Sequence, residues 1–180
     1  MTKIILHGCN GRMGQMLTRL LKEDPEAEVV AGVDGYTGIA NEYPVFASIH
    51  ECDVPADVVI DFSNAKAADG LLDYCVRTKT PVVLCTTGLS EEQLAKVEEA
   101  AKETAVLKSA NMSLGINLLM KLLKEAAPTL AAAGFDIEIV EKHHNQKLDA
   151  PSGTALALAD AINEASDGAY HYVYDRSKER

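Results

Sequence analysis

Ile4-Ile5-Leu6-His7-Gly8-Cys9-Asn10-Gly11-Arg12-Met13-Gly14 decides the fold of this 180-residue chain. Residues 3–7 read as a short buried strand. Over residues 11–22 the spacing turns helical, with Met13, Met16, Leu17, Leu20 and Leu21 on one stripe. Between strand and helix the glycines fall as GxxGxxG. Glycine lets the backbone turn tightly, and it lets a pyrophosphate approach where a Cβ would stand in the way. The helix that follows opens with amides that have no intrahelical partner and point toward an anion. Asp34 ends the next strand, 20 residues past Gly14, where a carboxylate accepts hydrogen bonds from a ribose diol. Glycines alone also occur in strand-to-helix turns that bind nothing. The preceding strand, the following helix and the acid at the next strand end together predict a dinucleotide site. Arg12 either faces the phosphates or is a solvated helix residue. No arginine follows Asp34; Gly35 and Tyr36 do. A 2′-phosphate would meet a carboxylate without an evident cation, so the expected coenzyme is NADH or NADPH, with NADH bound at least as well.

Further along, residues 28–33, 58–62, 81–84 and 105–107 are short continuous apolar runs, read as strands. Residues 65–76 are helical, and Ser90 starts another helix as an N-cap hydroxyl with Glu92 and Gln93 in the first turn. Strands alternating with helices predict an α/β fold, a Rossmann-like doubly wound parallel sheet over residues 1–112. Central parallel strands are buried on both faces, which is why they read as unbroken apolar runs. Residues 35–56 are irregular and predicted loop-rich. After Ser109 the texture changes. Residues 114–130 predict a long helix with Leu118, Leu119, Leu122, Leu123 and Ala126. Residues 135–141 alternate apolar and acidic, as a half-exposed strand does. A helix over about 153–165 and a further strand over 170–174 complete a partial α+β substrate-binding and oligomerisation domain, residues 113–180.

Composition narrows the function. Seventeen basic against 27 acidic residues give a formal charge of -10, which argues against a nucleic-acid coat. A dinucleotide, held by a few backbone amides, is compatible with that balance. The four cysteines (Cys9, Cys52, Cys75 and Cys85) form no CxxC pair and sit in no zinc-spaced cluster. Free thiols in a reducing cytosol follow. No signal-peptide order opens the chain, and no apolar run is long enough to span a bilayer. The expectation is a cytoplasmic protein without a membrane partner.

Two more turns fall on the same edge of the predicted sheet. Cys85-Thr86-Thr87-Gly88 follows the fourth strand, and Ala110-Asn111-Met112-Ser113 follows the fifth. In a doubly wound sheet ligands lie beyond the carboxyl ends of the strands, so both turns are expected near a nicotinamide. Ordinary turn chemistry is the plainer account of the same residues. Cys85 has no basic neighbour in sequence that would make it a nucleophile. The densest chemistry lies in Glu141-Lys142-His143-His144-Asn145-Gln146-Lys147-Leu148-Asp149-Ala150-Pro151-Ser152-Gly153-Thr154-Ala155. An imidazole there can act as general acid near neutral pH. Lys147 can neutralise a carboxylate, and the helix-opening Gly153 and Thr154 amides favour an anion. Asp149 is expected either to orient Lys147 or to cap the helix. Glu138 and Glu141 read as the exposed face of a strand. His7, His50 and His171 have no chemical context in the sequence. A metal on His143 and His144 is the weaker option, since adjacent residues rarely converge on one ion.

These motifs, with Val59-Ile60-Asp61-Phe62-Ser63, stand in the order seen in the 4-hydroxy-tetrahydrodipicolinate reductase (dihydrodipicolinate reductase) family. The chain resembles that family over essentially its whole length. The resemblance implies NADH- or NADPH-dependent reduction of a cyclic imine dicarboxylate to tetrahydrodipicolinate in lysine and diaminopimelate biosynthesis. It implies His143 as proton donor, Lys147 as second catalytic residue, and His144, Gly153 and Thr154 as substrate contacts. It implies coenzyme contacts at Gly8, Cys9, Asn10, Gly11, Arg12, Met13, Asp34, Cys85, Thr86, Thr87, Ala110, Asn111, Met112 and Ser113. Cys85 stands where the family often has glycine. Family members usually continue with further strands that complete a tetramer-building sheet, whereas this sequence stops at Arg180, so the second domain is expected to be incomplete and the homotetramer is an expectation for the family's full length. Two other classes fit the residues less closely: an NADH-binding module without turnover, and another small-substrate dehydrogenase on the same fold.

Overall fold

The computed structural model describes residues 1–109, 111–145, 147 and 150–174. The chain divides into two compact units, Met1–Ala110 and Asn111–Arg180. The first is one parallel sheet wound with helices. Its elements are β1 (Thr2–His7), α1 (Arg12–Lys22), β2 (Ala27–Val33), β3 (Val45–Phe46), β4 (Val58–Asp61), α2 (Ala65–Thr78), β5 (Val82–Leu84), α3 (Glu91–Ala101) and β6 (Val106–Lys108). The strand order is β3-β2-β1-β4-β5-β6, and every pairing is parallel. The order reverses between β1 and β4, so the crevice at their carboxyl ends is where this topology places a ligand.

Side-chain alternation along β1 explains the two-faced winding. Ile4 and Leu6 pack with Leu17 and Leu21 of α1 and with Val29, Val58 and Ile60. Ile5, between them, belongs to the opposite layer with Val59, Val82, Leu84, Leu71, Leu72, Cys75 and Val97. That second layer is the main core. The loop-rich stretch after β2 does hold two short elements the spacing did not predict, β3 and a 3-10 turn at Ile49–Glu51. Ser90 caps α3 as expected: its Oγ accepts from the Gln93 N–H at 3.2 Å, and Gln93 Oε1 accepts from the Ser90 N–H at 3.1 Å.

The expected stripe on α1 is half right. Leu17 and Leu21 face the sheet, but Met13, Met16 and Leu20 are exposed. The inward line starts instead at Gly14, which is buried. A Cβ on Gly14 would stand 2.3 Å from the Gly8 carbonyl oxygen, so the helix can lie this close to its own turn only through glycine.

In the second unit α4 (Leu114–Ala132) packs on α5 (Gly153–Glu164). Ser113 and Ser152 cap the two helices with their hydroxyls, and Lys124 pairs with Glu164 across them. Its buried apolar residues, among those described, are Ala127, Ala161 and Ile162. The expected strands over residues 135–141 and 170–174 are not formed. No described residue of this unit belongs to a strand, and a strand exists only with a neighbour's backbone to bond. Phe135 and Val140 are left open to solvent at 62% and 90% exposure. At Tyr170 a side chain takes the place of a ladder. Asn163 Oδ1 accepts from the Tyr170 N–H at 2.9 Å, and Asn163 Nδ2 donates to the Tyr170 carbonyl at 3.0 Å.

Candidate functional site

The turn after β1 is built so that its backbone crosses other backbone closely. Gly8 has φ +81°, and a Cβ there would meet the Phe62 carbonyl oxygen at 2.6 Å. The Gly8 amide bonds to the Val33 carbonyl at 2.8 Å, and the Gly11 amide to the Gly8 carbonyl at 3.1 Å. Gly11 is the N-cap of α1 and offers no side-chain cap, and no acid stands in the helix's first turn. The amides at Arg12 and Met13 therefore open on an exposed surface at the positive end of the helix dipole.

Asp34 clasps this turn to the end of β2. Its Oδ2 accepts from the Asn10 N–H at 3.0 Å and its Oδ1 from the Tyr36 N–H at 2.9 Å. Asn10 returns the contact, donating from Nδ2 to the Tyr36 carbonyl at 2.5 Å. Each carboxylate oxygen keeps a lone pair for a hydroxyl. The turn and Asp34 line a cleft of about 470 Å³ together with His7, Ser63 and Lys66. That is ample room for half of a dinucleotide. Lys66 is a cation that sequence reasoning missed. It lies 32 positions from Asp34, in the first turn of α2, where the helix dipole disfavours it. That unfavourable placement was the only signal in the sequence.

The floor of the cleft is a buried polar knot. His7 Nδ1 lies 2.8 Å from Asp61 Oδ1. Ser63 Oγ–H and N–H donate to the same oxygen at 2.6 and 3.2 Å, and Thr86 Oγ1–H donates to Oδ2 at 2.6 Å. Asp61 is fully buried. Burial pushes its carboxyl up, but the donors on His7, Ser63 and Thr86 together outweigh that and hold it below the ordinary value. Thr86, expected as a coenzyme contact, thus turns its hydroxyl to Asp61. Thr87 beside it is exposed. Cys85 is no nucleophile: burial and the Asp61 charge push its thiol up to about 11. Cys9 is likewise pushed to about 11, by burial and the Asp34 charge.

In the second unit the Glu141 carboxylate bonds both to His143 and to the residue that caps α5. Glu141 Oε2 lies 2.8 Å from His143 Nε2, and Glu141 Oε1 accepts from the Ser152 N–H at 2.9 Å. Hydrogen bonds from the Ser152 side chain and backbone, then from His143, bring the Glu141 carboxyl down to about 2. The expectation that Glu141 is merely a strand's exposed face is overturned; it ties the imidazole to the N-terminus of α5. The pattern Glu-x-His was its signal. His143 and His144 stand exposed, and the Lys147 N–H bonds to the His144 carbonyl at 3.2 Å. Asn111 Nδ2 donates to Thr154 Oγ1 at 3.2 Å, so one expected coenzyme residue touches an expected substrate residue. Asn111 Oδ1 also accepts from the Ser113 N–H at 2.8 Å, while Met112 is exposed. Gly153, the first residue of α5, has open space around it. Ala110 and Asp149 lie outside the described residues; of the two roles expected of Asp149, to orient Lys147 or to cap the helix, the cap falls to Ser152.

Family models described as dihydrodipicolinate reductase, N-terminus and C-terminus, match residues 2–112 and 115–179. A 4-hydroxy-tetrahydrodipicolinate reductase from Caldanaerobacter subterraneus is 56% identical over 176 residues, 98% of this chain and 69% of that protein. One from Clostridium tetani is 49% identical over 177 residues, with the same two shares of 98% and 69%. Among solved structures, a dipicolinate-bound dihydrodipicolinate reductase from Paenisporosarcina sp. TG-14 matches with TM-score 0.74 and 28% identity, over 100% of this chain and 72% of that one. A WlbA dehydrogenase from Bordetella pertussis in complex with NADH and UDP-GlcNAcA matches with TM-score 0.56 and 16% identity, over 71% of this chain and 42% of that one, a likeness of fold alone.

Proposed function

The chain belongs to the dihydrodipicolinate reductase family, and from that premise we propose that it reduces 4-hydroxy-tetrahydrodipicolinate to tetrahydrodipicolinate in lysine and diaminopimelate biosynthesis. The observation that carries the proposal is the loop in which Glu141 fixes the His143 imidazole beside the opening of α5. Such a loop holds a proton and an anion together, as reduction of a dicarboxylate requires.

The cleft fits a nicotinamide dinucleotide on grounds of its own. A cradle that a Cβ would fill, an uncapped helix start and a carboxylate at the end of β2 suit a pyrophosphate and a ribose. Gly8, Cys9, Asn10, Gly11, Arg12, Met13 and Asp34 would hold it, with Cys85 to Thr87 and Ala110 to Ser113 toward the nicotinamide. The bound coenzyme supplies a hydride. Asp34 accepts a hydroxyl better than a phosphate, so NADH binds at least as well as NADPH. Lys66, in the same cleft, gives a 2′-phosphate a counter-charge and keeps NADPH usable.

Replacing the 4-hydroxyl of the substrate by hydrogen consumes one hydride and one proton and releases one water. The hydroxyl leaves as water together with a proton from the neighbouring ring carbon, the hydride adds to the carbon the hydroxyl left, and His143 returns a proton to that neighbour. Because Glu141 holds Nε2, the nitrogen that gives up the proton is Nδ1. Lys147, His144, and the Gly153 and Thr154 amides hold the carboxylates. The enzyme acts in the cytoplasm, and the leucines exposed along α4 (Leu114, Leu118, Leu119 and Leu122) suit burial in a homotetramer.

His143→Gln tests the assignment. Turnover falls by about 100-fold or more while NADH affinity stays as in the wild type. Unchanged turnover in a folded variant refutes it, and NADH binding without turnover by the wild type makes the chain a binding module.

A further inference from the structure

His7 is the one histidine in the first unit buried in the floor of the cleft, at 6% exposure, and the family motif gives it no part. Its surroundings fix which ring nitrogen carries the proton. Asp61 is an acceptor only, held ionised below the ordinary carboxylate value by the donors around it. Two hydroxyls and one amide, from Ser63 and Thr86, already donate to it. The His7 Nδ1 contact at 2.8 Å is therefore a fourth donation, Nδ1–H to Asp61 Oδ1. A neutral imidazole protonated at Nδ1 has a bare lone pair at Nε2. Among the described residues Nε2 has no protein hydrogen-bond partner, and His7 lines the cleft beside Gly8.

We propose that His7 is a coenzyme-binding residue whose Nε2 accepts a hydrogen bond from a hydroxyl or amino group of the adenosine half of the coenzyme, in a tautomer imposed by Asp61. The adenosine half is indicated because His7 shares its cleft with Asp34, Ser63 and Lys66, at the ends of β2 and β4 and the start of α2. A lone pair selects a donor. Phosphate oxygens offer none, whereas the ribose hydroxyls and the adenine amine do. The assignment rests on reading this cleft as the coenzyme site.

The test uses the whole chain labelled with ¹⁵N, titrated with NADH, ADP-ribose and reduced nicotinamide mononucleotide. Two-bond ¹H–¹⁵N spectra of the free protein should show Nδ1 protonated and Nε2 bare. NADH and ADP-ribose should shift the Nε2 resonance, and the mononucleotide should leave it in place. His7→Asn is the companion variant, because an asparagine amide reproduces the Nδ1–H donation to Asp61 and lacks the distal nitrogen. It should fold with a nearly unchanged melting temperature and bind NADH about 3- to 10-fold more weakly, the worth of one hydrogen bond. The opposite tautomer, a ring protonated on both nitrogens, an Nε2 resonance unmoved at saturating NADH, or wild-type affinity in a folded His7→Asn overturns the proposal. Failure of the wild type to bind NADH at all would instead refute the coenzyme reading of the cleft.

Discussion

Two carboxylates hold two imidazoles at the same distance, 2.8 Å, in opposite surroundings. In the first unit Asp61 and His7 have side-chain exposures of 0% and 7%; in the second Glu141 and His143 have 26% and 40%. The buried pair sits among hydroxyl donors under a packed sheet. The exposed pair sits in a loop ahead of a helix, in a unit whose buried apolar set is small. Geometry alone does not tell their work apart; solvent does. A buried carboxylate must be satisfied completely or it destabilises the fold. A solvent-facing pair contributes little stability and is free to orient a proton for chemistry. The first pair is fixed in the floor of the cleft, and the second is the one we propose takes part in the reaction.

Four changes would break or sharpen this contrast. Asp61→Ala carries the largest effect. It leaves donors on His7, Ser63 and Thr86 buried without an acceptor, and should cost about 3 kcal/mol or more in urea unfolding. A loss under about 1 kcal/mol would mean that water reaches the knot. Glu141→Gln comes next. It should cost some stability in unfolding, far less than Asp61→Ala, and lower kcat by about 10-fold with KM changed little, because His143 loses its fixed tautomer. An equal collapse of stability would make Glu141 a structural residue like Asp61.

Acid should separate the pairs further. Both carboxyls titrate lower in the folded chain than unfolded, so their contributions are complete above the ordinary carboxylate range and disappear as pH falls through the folded values. For Glu141 that window runs from 4.5 down to about 2. Added salt should flatten the acid-sensitive difference between wild type and Glu141→Gln and leave the Asp61-dependent difference standing. Equal salt sensitivity of both would erase the distinction drawn from burial. The smallest effect belongs to Lys66→Ala, a change at an exposed site. NADPH should bind about 3-fold more weakly and NADH as before. Equal weakening of both coenzymes would place Lys66 on a phosphate they share.

Much of this was legible in the sequence because it is local. The GxxGxxG turn, the apolar parallel strands and the Ser90 cap each follow from a few neighbouring residues. What was not legible depends on pairs far apart. His7 and Asp61 are 54 positions apart and meet only because β1 and β4 adjoin. The inward face of α1 was misread because Gly14, which carries no apolar signal, sets it by close approach. Residues 135–141 alternate as a strand does, yet a pattern does not supply the neighbouring backbone that a strand needs. Glu141 shares that alternation, and its reach to Ser152, 11 positions on, leaves no mark in the pattern.

The most direct test of the whole account is deuterium transfer. The wild-type chain is given 4-hydroxy-tetrahydrodipicolinate and NADH dideuterated at the nicotinamide C4, and the product is analysed by mass and NMR. One deuterium on the ring of tetrahydrodipicolinate for each coenzyme oxidised is the predicted result. Coenzyme that binds and stays reduced, or is oxidised without placing deuterium on the ring, would contradict it.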